Sequence, residues 1–268
     1  MSSNAAFVGS IPETYHRCLG PLLFEPYARD MAARAQRTGA TRILELACGT
    51  GIVTRELLSS LPPNGRLTAT DLNQAMIDVA SKFVGADPRL RFQPADACKL
   101  PFPDHSFDLI VCQYGVMFFP DKPGSMREAR RVLAPGGRYL FNVWDSLAHN
   151  PIAGLIQQSL DELLAPNPPR FLAQTPYNWF DPKTIEETAR AGGFTTIKHE
   201  YLSFPSESPT ATDAVRGLLE GTPNLGALTE RGITDPTSLR NSIAERVAAK
   251  FGKAPCRSTM RAIVVEAS

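Results

Sequence analysis

The sequence lacks the cysteine pattern of a disulfide-stapled or zinc-binding protein. Its 268 residues include five cysteines, and no two of them form a C-x-x-C pair. An odd number of cysteines without such a pair argues against a disulfide framework and against a structural zinc site. We therefore expect no metal and interpret the cysteines as buried thiols of a protein in a reducing compartment. They are Cys18, Cys48, Cys98, Cys112 and Cys256.

The sequence also has no excess of charge of one sign. Lys and Arg total 28 against 27 Asp and Glu, which gives a formal net charge of +1 at pH 7. Such a protein has no overall field that attracts polyanions, so we expect no nucleic-acid partner.

Long apolar segments are absent as well. The most apolar run, Phe107 to Phe119, is interrupted by Asp108 and Gln113 and is shorter than the roughly 20 residues of a membrane span. Residues 1–10 contain no basic residue ahead of an apolar stretch, so a secretory signal is not visible. We expect a cytoplasmic protein that does not enter a membrane.

Short apolar runs alternate with helix-like stretches between Thr41 and Phe141. This alternation is typical of a parallel sheet with helices on both faces, and it predicts an α/β, doubly wound fold. The predicted strands are 42–46, 66–70, 90–93, 107–112 and 138–143. The predicted helices between them are 52–60, about 73–83 and about 122–133.

The pattern changes after Trp144, where further helices and two more strands are predicted. The helices are 152–164, 183–191, 212–219 and 239–251, with a Pro-rich loop at 166–182, and the strands are 195–204 and 260–266. The long excursion between these strands is expected to be functional or to act as a cover. We divide the single domain into an N-terminal helical cover (1–40), a ligand-binding core (41–146) and a C-terminal part with substrate-binding insertions (147–268).

A turn rich in small residues is predicted where the first strand meets the first helix, from Glu45 to Gly51 (Glu-Leu-Ala-Cys-Gly-Thr-Gly). Glycine adopts positive φ and lets a ligand approach the backbone closely, and a helix start presents unpaired N–H groups. The turn is therefore suited to an anionic or polar ligand. A plain tight turn between a strand and a helix is the alternative.

Asp71 ends the second strand, about 20 residues beyond this turn, which is the spacing of a ribose-binding carboxylate. A carboxylate in that place can accept hydrogen bonds from both vicinal hydroxyls of a ribose. The alternative is a helix cap, because Asp71 or Asn73 can also begin the next helix.

Two residues distinguish between classes of ribose-containing ligand. A dinucleotide fingerprint has a further glycine three residues after Gly51, where this sequence has Thr54. The acidic Glu45 would repel a pyrophosphate but would suit an ammonium group. The residues thus favour a ligand that consists of a nucleoside joined to an amino acid. The alternative is a nicotinamide cofactor, which would make the protein an oxidoreductase.

Five segments carry a resemblance to a known family. They are Glu45 to Gly51, Thr70 to Leu72, Pro94 to Ala97, Phe107 to Ile110 and Val132 to Gly137. In this order they resemble the motifs of class I S-adenosylmethionine-dependent methyltransferases of the bacterial small-molecule type. The resemblance spans about Ile43 to Val143 and departs from the family at Ala47, in place of its first glycine.

This resemblance implies a Rossmann-like, doubly wound sheet of seven strands with an antiparallel edge strand. It implies S-adenosylmethionine as the cofactor, S-adenosylhomocysteine as the product, and transfer of the methyl group to an O, N or C atom of a small molecule. A module that binds the cofactor without transferring the methyl group is a second alternative.

For the methionine end of the cofactor, the resemblance implies contacts along the glycine turn. Ala47, Gly49 and Gly51 would lie along the methionine moiety, and Glu45 would lie near its amino group. Gln113, at the end of the fourth strand, would lie close to the sulfonium.

For the adenosine end, the resemblance implies that Asp71 holds the ribose and that Leu72 and Met76 flank the adenine. Asp96 would accept a hydrogen bond from the adenine amino group, and the backbone N–H of Ala97 would donate to a ring nitrogen. Core packing of Leu72 and Met76, and a turn role for Asp96, are the alternatives.

Methyl transfer can proceed by alignment alone, but a general base would assist an oxygen or acidic carbon acceptor. The candidate bases among the four histidines are His16, in the N-terminal cover, and His149, after the fifth strand. Aromatic residues that either receive an apolar or planar acceptor or belong to the core are Tyr15, Phe24, Trp144, Tyr177 and Phe180.

Overall fold

The apolar runs of the sequence form one seven-stranded sheet within residues 11–268, the part of the chain that this computed structural model describes. The strand order is β3-β2-β1-β4-β5-β7-β6. The strands are β1 (Arg42–Glu45), β2 (Arg66–Asp71), β3 (Leu90–Pro94), β4 (Phe107–Gln113), β5 (Leu133–Trp144), β6 (Ile197–Ser208) and β7 (Cys256–Ala267).

The five strands of the first half are parallel, and β7 pairs antiparallel with β5. β6 lies at the edge of the sheet beside β7. The structure confirms the predicted fold, a doubly wound, Rossmann-like sheet of seven strands with antiparallel pairing at one edge.

Helices connect the strands in the described part of the chain. They are α1 (Ile11–Thr14), α2 (Glu25–Thr38), α3 (Ile52–Ser60), α4 (Gln74–Val84), α5 (Lys122–Val132), α6 (Pro151–Leu163), α7 (Phe171–Gln174), α8 (Pro182–Ala191), α9 (Ala211–Glu220), α10 (Asn224–Thr229) and α11 (Thr237–Phe251). Tyr15–Phe24 is a π-helix between α1 and α2, and Val116–Phe118 and Leu147–His149 are 3₁₀ turns.

Most predicted boundaries agree with these elements within a few residues. The clearest difference is at β5, which starts at Leu133 and not at 138, because Leu133 already pairs with Phe107 and is fully buried. The Pro-rich loop contains α7, and the long excursion contains α10 in addition to its two predicted helices.

The chain divides into two compact units. One unit contains the described residues up to Glu25 together with 145–178 and 203–261, and the other contains 26–144, 179–202 and 262–268. The first ten residues of the predicted N-terminal cover lie outside the described residues. That the cover segments select an acceptor stays a prediction.

The central strands explain where a ligand can bind. Ile43, Leu44 and Leu109 are almost completely buried, because β1 and β4 lie side by side in the middle of the sheet. Between these two strands the order of the sheet reverses, and in open α/β sheets ligands bind at the carboxyl ends of strands beside such a reversal. The glycine turn follows the carboxyl end of β1, Asp71 is the last residue of β2, and Gln113 is the last residue of β4. All three therefore lie at the carboxyl ends of the parallel strands, where a ligand is expected.

Across residues 11–268, the helices are too short or too polar to cross a membrane.

Candidate functional site

The glycine turn is fixed to the two strands that flank β1. The backbone N–H of Leu46 donates to the carbonyl of Val111 in β4 (2.9 Å), and that of Cys48 donates to the carbonyl of Thr70 in β2 (2.8 Å). Gly51 begins α3 with φ 84°, and a Cβ on it would lie 2.9 Å from a methyl group of Val84. The absence of a side chain at Gly51 therefore allows the close packing of α3 against α4, and the predicted ligand contact of its backbone stays a prediction.

Gly49 lies on the open side of the turn. Its φ is 54°, and a Cβ built on it would have no protein atom within 4 Å. Ala47 has φ 52°, so a residue with a side chain occupies the left-handed region in the place of the family's first glycine. This conformation is unfavourable for alanine and needs support from its surroundings.

Asp71 connects the end of β2 to this turn. Its Oδ2 accepts a hydrogen bond from the backbone N–H of Gly49 (2.9 Å), and its Oδ1 accepts one from that of Asn73 (2.8 Å). Only 8% of the residue is exposed, and burial raises the pKa of its carboxyl group above the usual value. The bond to Asn73 is a turn ahead of α4, whose N-cap residue Asn73 has no side-chain capping bond, so neither Asp71 nor Asn73 caps the helix with its side chain. The bond to the glycine turn was not predicted from the spacing.

Glu45 is the most deeply buried acid of the site, with 1% of its surface exposed. Its Oε2 has no hydrogen-bond partner among the described residues. Burial raises the pKa of Glu45 to about 8; the neighbouring Thr54 opposes this effect, and the charge of Asp71 adds to it. A buried carboxyl oxygen without a partner is costly, so this atom is suited to a cationic ligand group.

The residues predicted for the adenine differ in exposure. Leu72 is 58% exposed, which is unusual for leucine, whereas Met76 and Ala97 are buried. Asp96 is exposed, and its Oδ1 accepts a hydrogen bond from the backbone N–H of Cys98 (2.8 Å). The turn role considered for Asp96 is therefore present.

Gln113 ends β4 and is partly buried. The next residue, Tyr114, has φ 53° and stacks on Trp144, with ring centroids 3.7 Å apart and an interplanar angle of 7°. Tyr27 meets both rings edge-on. Trp144, predicted to contact an acceptor, is 3% exposed and belongs to this aromatic cluster.

The sequence did not indicate a role for Tyr114, which belongs to this aromatic cluster, or for Asn142, which is hydrogen-bonded to it. Asn142 is fully buried in β5, and its Oδ1 accepts a hydrogen bond from the backbone N–H of Tyr114 (3.0 Å). The available signal was one polar residue, Asn142, within the apolar run Tyr139 to Trp144.

Two of the predicted acceptor-site aromatics lie in the π-helix. Tyr15 and Phe24 stack on each other, with centroids 4.9 Å apart, and His16 lies next to Tyr15 and is partly buried. Tyr177 is buried, whereas Phe180 is 36% exposed.

His149 lies in a 3₁₀ turn beside a buried acid. Its Nδ1 is 3.3 Å from Oδ2 of Asp145 and 3.2 Å from Oγ of Ser146. The same Asp145 oxygen accepts a hydrogen bond from Nε of Arg261. Ser146 and the Asp145 carboxylate thus both lie against Nδ1 of a half-exposed imidazole.

No cluster of three or more metal-ligating side chains occurs within residues 11–268. Cys48 and Cys112, which are buried near the glycine turn, are free thiols.

Comparisons with known proteins agree with this geometry. Residues 44–141 match the family described as "Methyltransferase domain". The chain is 31% identical over 189 residues to a demethylmenaquinone methyltransferase of Lactococcus lactis, covering 65% of this chain and 73% of the relative. It is also 31% identical over 180 residues to a ubiquinone/menaquinone biosynthesis C-methyltransferase of Ectopseudomonas mendocina, covering 60% and 68%.

Two solved structures share the fold at low sequence identity. The YcgJ protein of Bacillus subtilis superposes with a TM-score of 0.56 at 20% identity, over 89% of this chain and 97% of that one. A phosphoethanolamine N-methyltransferase of Haemonchus contortus, solved with S-adenosylhomocysteine, superposes with a TM-score of 0.60 at 19% identity, over 96% and 57%.

Proposed function

Because the chain belongs to the class I S-adenosylmethionine-dependent methyltransferases of the small-molecule type, we propose that the carboxyl ends of β1, β2 and β4 bind its cofactor. The enzyme transfers a methyl group from S-adenosylmethionine to a small molecule.

The observation that carries the proposal is the pair of Glu45 and Gly49. Oε2 of Glu45 is buried without a hydrogen-bond partner among the described residues, and the ammonium group of a methionine moiety would provide one, directly or through water. The space that a Cβ on Gly49 would fill is open, which leaves room for that moiety against the backbone. The residues therefore fit the cofactor.

We assign the methionine moiety to Ala47, Gly49 and Gly51, with Glu45 at its amino group and Gln113 near the sulfonium. The ribose is assigned to Asp71, whose two oxygens each accept one backbone hydrogen bond and keep a further acceptor site.

We assign the adenine to four residues beyond the ribose. The exposed side chain of Leu72 is available to pack against a ring, and Met76 would support the other side. Asp96 keeps one carboxylate oxygen for the adenine amino group, and Ala97 offers its N–H.

When bound, S-adenosylmethionine supplies an electrophilic methyl group on a positively charged sulfur. The chain contributes alignment, since the turn and Gln113 fix one end and Asp71 fixes the other. Such positioning lowers a barrier by roughly 7–11 kcal/mol in favourable cases. A base would assist transfer to an acceptor with an acidic oxygen or carbon, and for this role we propose His149, which lies beside Asp145, or His16.

For the acceptor we propose an apolar, planar small molecule. The support is that the relatives above are named for methylating demethylmenaquinone and for C-methylation in ubiquinone/menaquinone biosynthesis. Tyr15 and Phe180, which are not buried, are each proposed to contact it, whereas Phe24, Trp144 and Tyr177, also considered for this role, are buried and are assigned to packing. We further propose that the enzyme is cytoplasmic and does not act on nucleic acid.

Titration calorimetry tests the cofactor site. S-adenosylhomocysteine should bind with one site per chain, and 5′-methylthioadenosine, which has the nucleoside without the amino-acid part, should bind more weakly. No heat from S-adenosylhomocysteine at millimolar concentration would contradict the site. Transfer of labelled methyl to a reduced naphthoquinone tests the acceptor class, and transfer only to amines would contradict it.

A further inference from the structure

Tyr114 has a backbone conformation that an aromatic residue rarely adopts. Its φ of 53° lies in the left-handed region, which a residue with a Cβ occupies only when its surroundings impose it. Tyr114 directly follows Gln113, so its conformation determines the direction in which the chain leaves β4.

Asn142 provides hydrogen bonds that support this conformation. The backbone N–H of Tyr114 donates both to Oδ1 of Asn142 (3.0 Å) and to its backbone carbonyl (3.2 Å). Asn142 lies directly opposite Gln113 in the register of β5 and β4. The side-chain bond is therefore made at the very end of β4, beside the residue assigned to the sulfonium.

The side chain of Asn142 carries a cost that an apolar residue would avoid. It is fully buried, and its Nδ2 has no hydrogen-bond partner among the described residues. Its neighbours Phe141 and Val143 are also buried but apolar. A buried amide with an unpaired donor destabilises the protein, so what Asn142 contributes is its acceptor oxygen.

The chain after Tyr114 is packed against the glycine turn. A Cβ on Gly115 would lie 2.6 Å from Cβ of Ala47 and 2.6 Å from Sγ of Cys112, so the contact has no spare room. The ring of Tyr114 is held on the other side by its stack on Trp144. A change in the backbone of Tyr114 would consequently move both Gln113 and the Gly115 contact with Ala47.

We propose that Asn142 is a positioning residue for the methionine end of the cofactor. It holds Tyr114 in the left-handed conformation, and through Tyr114 it fixes Gln113 and the Ala47 part of the glycine turn. The inference rests on the proposed assignment of those two residues to the methionine moiety. Asp71 holds the adenosine end from β2, so removal of the Asn142 oxygen should affect the amino-acid end alone.

Calorimetry with two ligands tests this selectivity. Asn142→Leu removes the acceptor oxygen and should weaken S-adenosylhomocysteine binding about tenfold, while affinity for 5′-methylthioadenosine stays within about twofold. Asn142→Asp keeps an acceptor oxygen and should stay within about threefold of wild type for both ligands. Equal weakening of both ligands by Asn142→Leu, or no weakening of either, overturns the proposal.

A spectroscopic measurement is independent of ligand affinity. Of the two tryptophans, Trp179 can be replaced by Phe, which leaves Trp144 to report on its stack with Tyr114. In that background Asn142→Leu should change the emission of Trp144, and Asn142→Asp should not. Unchanged emission in the leucine variant contradicts the proposal.

Two controls separate the possible failures. Asn142→Ser, whose hydroxyl is too short to replace the amide oxygen, substitutes for the leucine variant if the latter does not fold, and the same ligand selectivity is expected. If the wild-type protein binds neither ligand, the proposed cofactor site is wrong, whereas loss of selectivity alone refutes only the role of Asn142.

Discussion

The backbone N–H of Gly49 donates a hydrogen bond to Oδ2 of Asp71 over 2.9 Å. This bond joins the open part of the glycine turn to the end of the neighbouring strand, β2. The same carboxylate accepts from Asn73 through its other oxygen, at 2.8 Å. One side chain therefore shapes the turn and remains available to a ribose, because a carboxylate has about four acceptor positions.

Replacement of Asp71 should abolish tight cofactor binding. Asp71→Ala loses two charge-assisted acceptors for the ribose and the bond to Gly49, so affinity for S-adenosylhomocysteine should fall about 100-fold or more. Asp71→Asn keeps one oxygen and should lose less. The exposed Asp78→Asn in α4 is the matched control and should bind like wild type in calorimetry. Wild-type affinity in Asp71→Ala would refute the ribose assignment.

Gly49→Ala should weaken cofactor binding more than it destabilises the fold. Its Cβ meets no protein atom within 4 Å, so the folded protein should lose only roughly 1–2 kcal/mol to the left-handed backbone. Binding of S-adenosylhomocysteine should weaken at least about tenfold, because the methyl group enters the ligand's space.

Gly136→Ala is the control for that strain. Gly136 has φ 78° and the same open surroundings, but it lies at the start of β5. The Gly136→Ala variant should have a lower melting temperature, as Gly49→Ala does, but unchanged affinity for S-adenosylhomocysteine. Similar affinity losses in both variants would show that strain, and not access, controls binding.

Glu45 should make cofactor binding depend on pH. Burial raises the pKa of its carboxyl group to about 8 in the free protein, so the group is mostly neutral at pH 6 to 7. An ammonium group binds the carboxylate form, so affinity for S-adenosylhomocysteine should rise from pH 6 to 8, by at most about tenfold per pH unit. Glu45→Gln and 5′-methylthioadenosine should each remove this slope in calorimetry. The titratable groups that interact with Glu45 are the Asp71 carboxylate, whose charge raises the pKa of Glu45, and the thiols of Cys48 and Cys112, whose burial raises their pKa and keeps them uncharged from pH 6 to 8.

The same group should affect the stability of the ligand-free protein. A folded-state pKa of about 8, raised from 4.5, means that the folded protein keeps a proton that the unfolded chain releases. The contribution of this retained proton to the free energy of unfolding is therefore complete below pH 4.5 and is lost as pH rises through 8. Denaturant titrations should show this loss in wild type and a flatter profile in Glu45→Gln, and parallel profiles would contradict the assignment.

Leu72→Ala should weaken binding without destabilising the fold. The side chain is 58% exposed, so little apolar burial within the protein is lost, and the melting temperature should change little. If Leu72 packs on the adenine, affinity for 5′-methylthioadenosine should fall about three- to tenfold. Leu163→Ala, at another exposed leucine, is the control. Equal affinities in both variants would leave Leu72 without a role in binding.

The fold could be predicted because its signals are local. The helix Ile52–Ser60 lies between a glycine turn and Pro62, and the structure gives it the predicted bounds. The start of β5 could not be read in this way. Leu133 pairs with Phe107, but regular register resumes only at Arg138 opposite Leu109, so Pro135-Gly136-Gly137 forms an irregularity within β5 and does not separate it from the helix. That pairing depends on a residue far away in the sequence.

The sequence likewise predicted which residues form the candidate site, but not how they are buried and paired. Glu45, Gly49 and Asp71 follow from the spacing of small and acidic residues around strand ends. The burial of Glu45 without a partner for Oε2 does not follow, because desolvation depends on every neighbouring element. Trp144 and Tyr114 form a stacked pair that sequence patterns could not distinguish from an exposed acceptor surface.

The sequence by itself determined the alternating strands and helices, the glycine turn and the family to which the chain belongs, since each depends on residues that are close in the chain. Only the tertiary structure decided that Gly49 binds Asp71, that Asn142 supports Tyr114, and that Glu45 is sealed from water. These relationships join strands that are distant in sequence, and their energies come from burial and hydrogen-bond geometry that exist only after the sheet has formed.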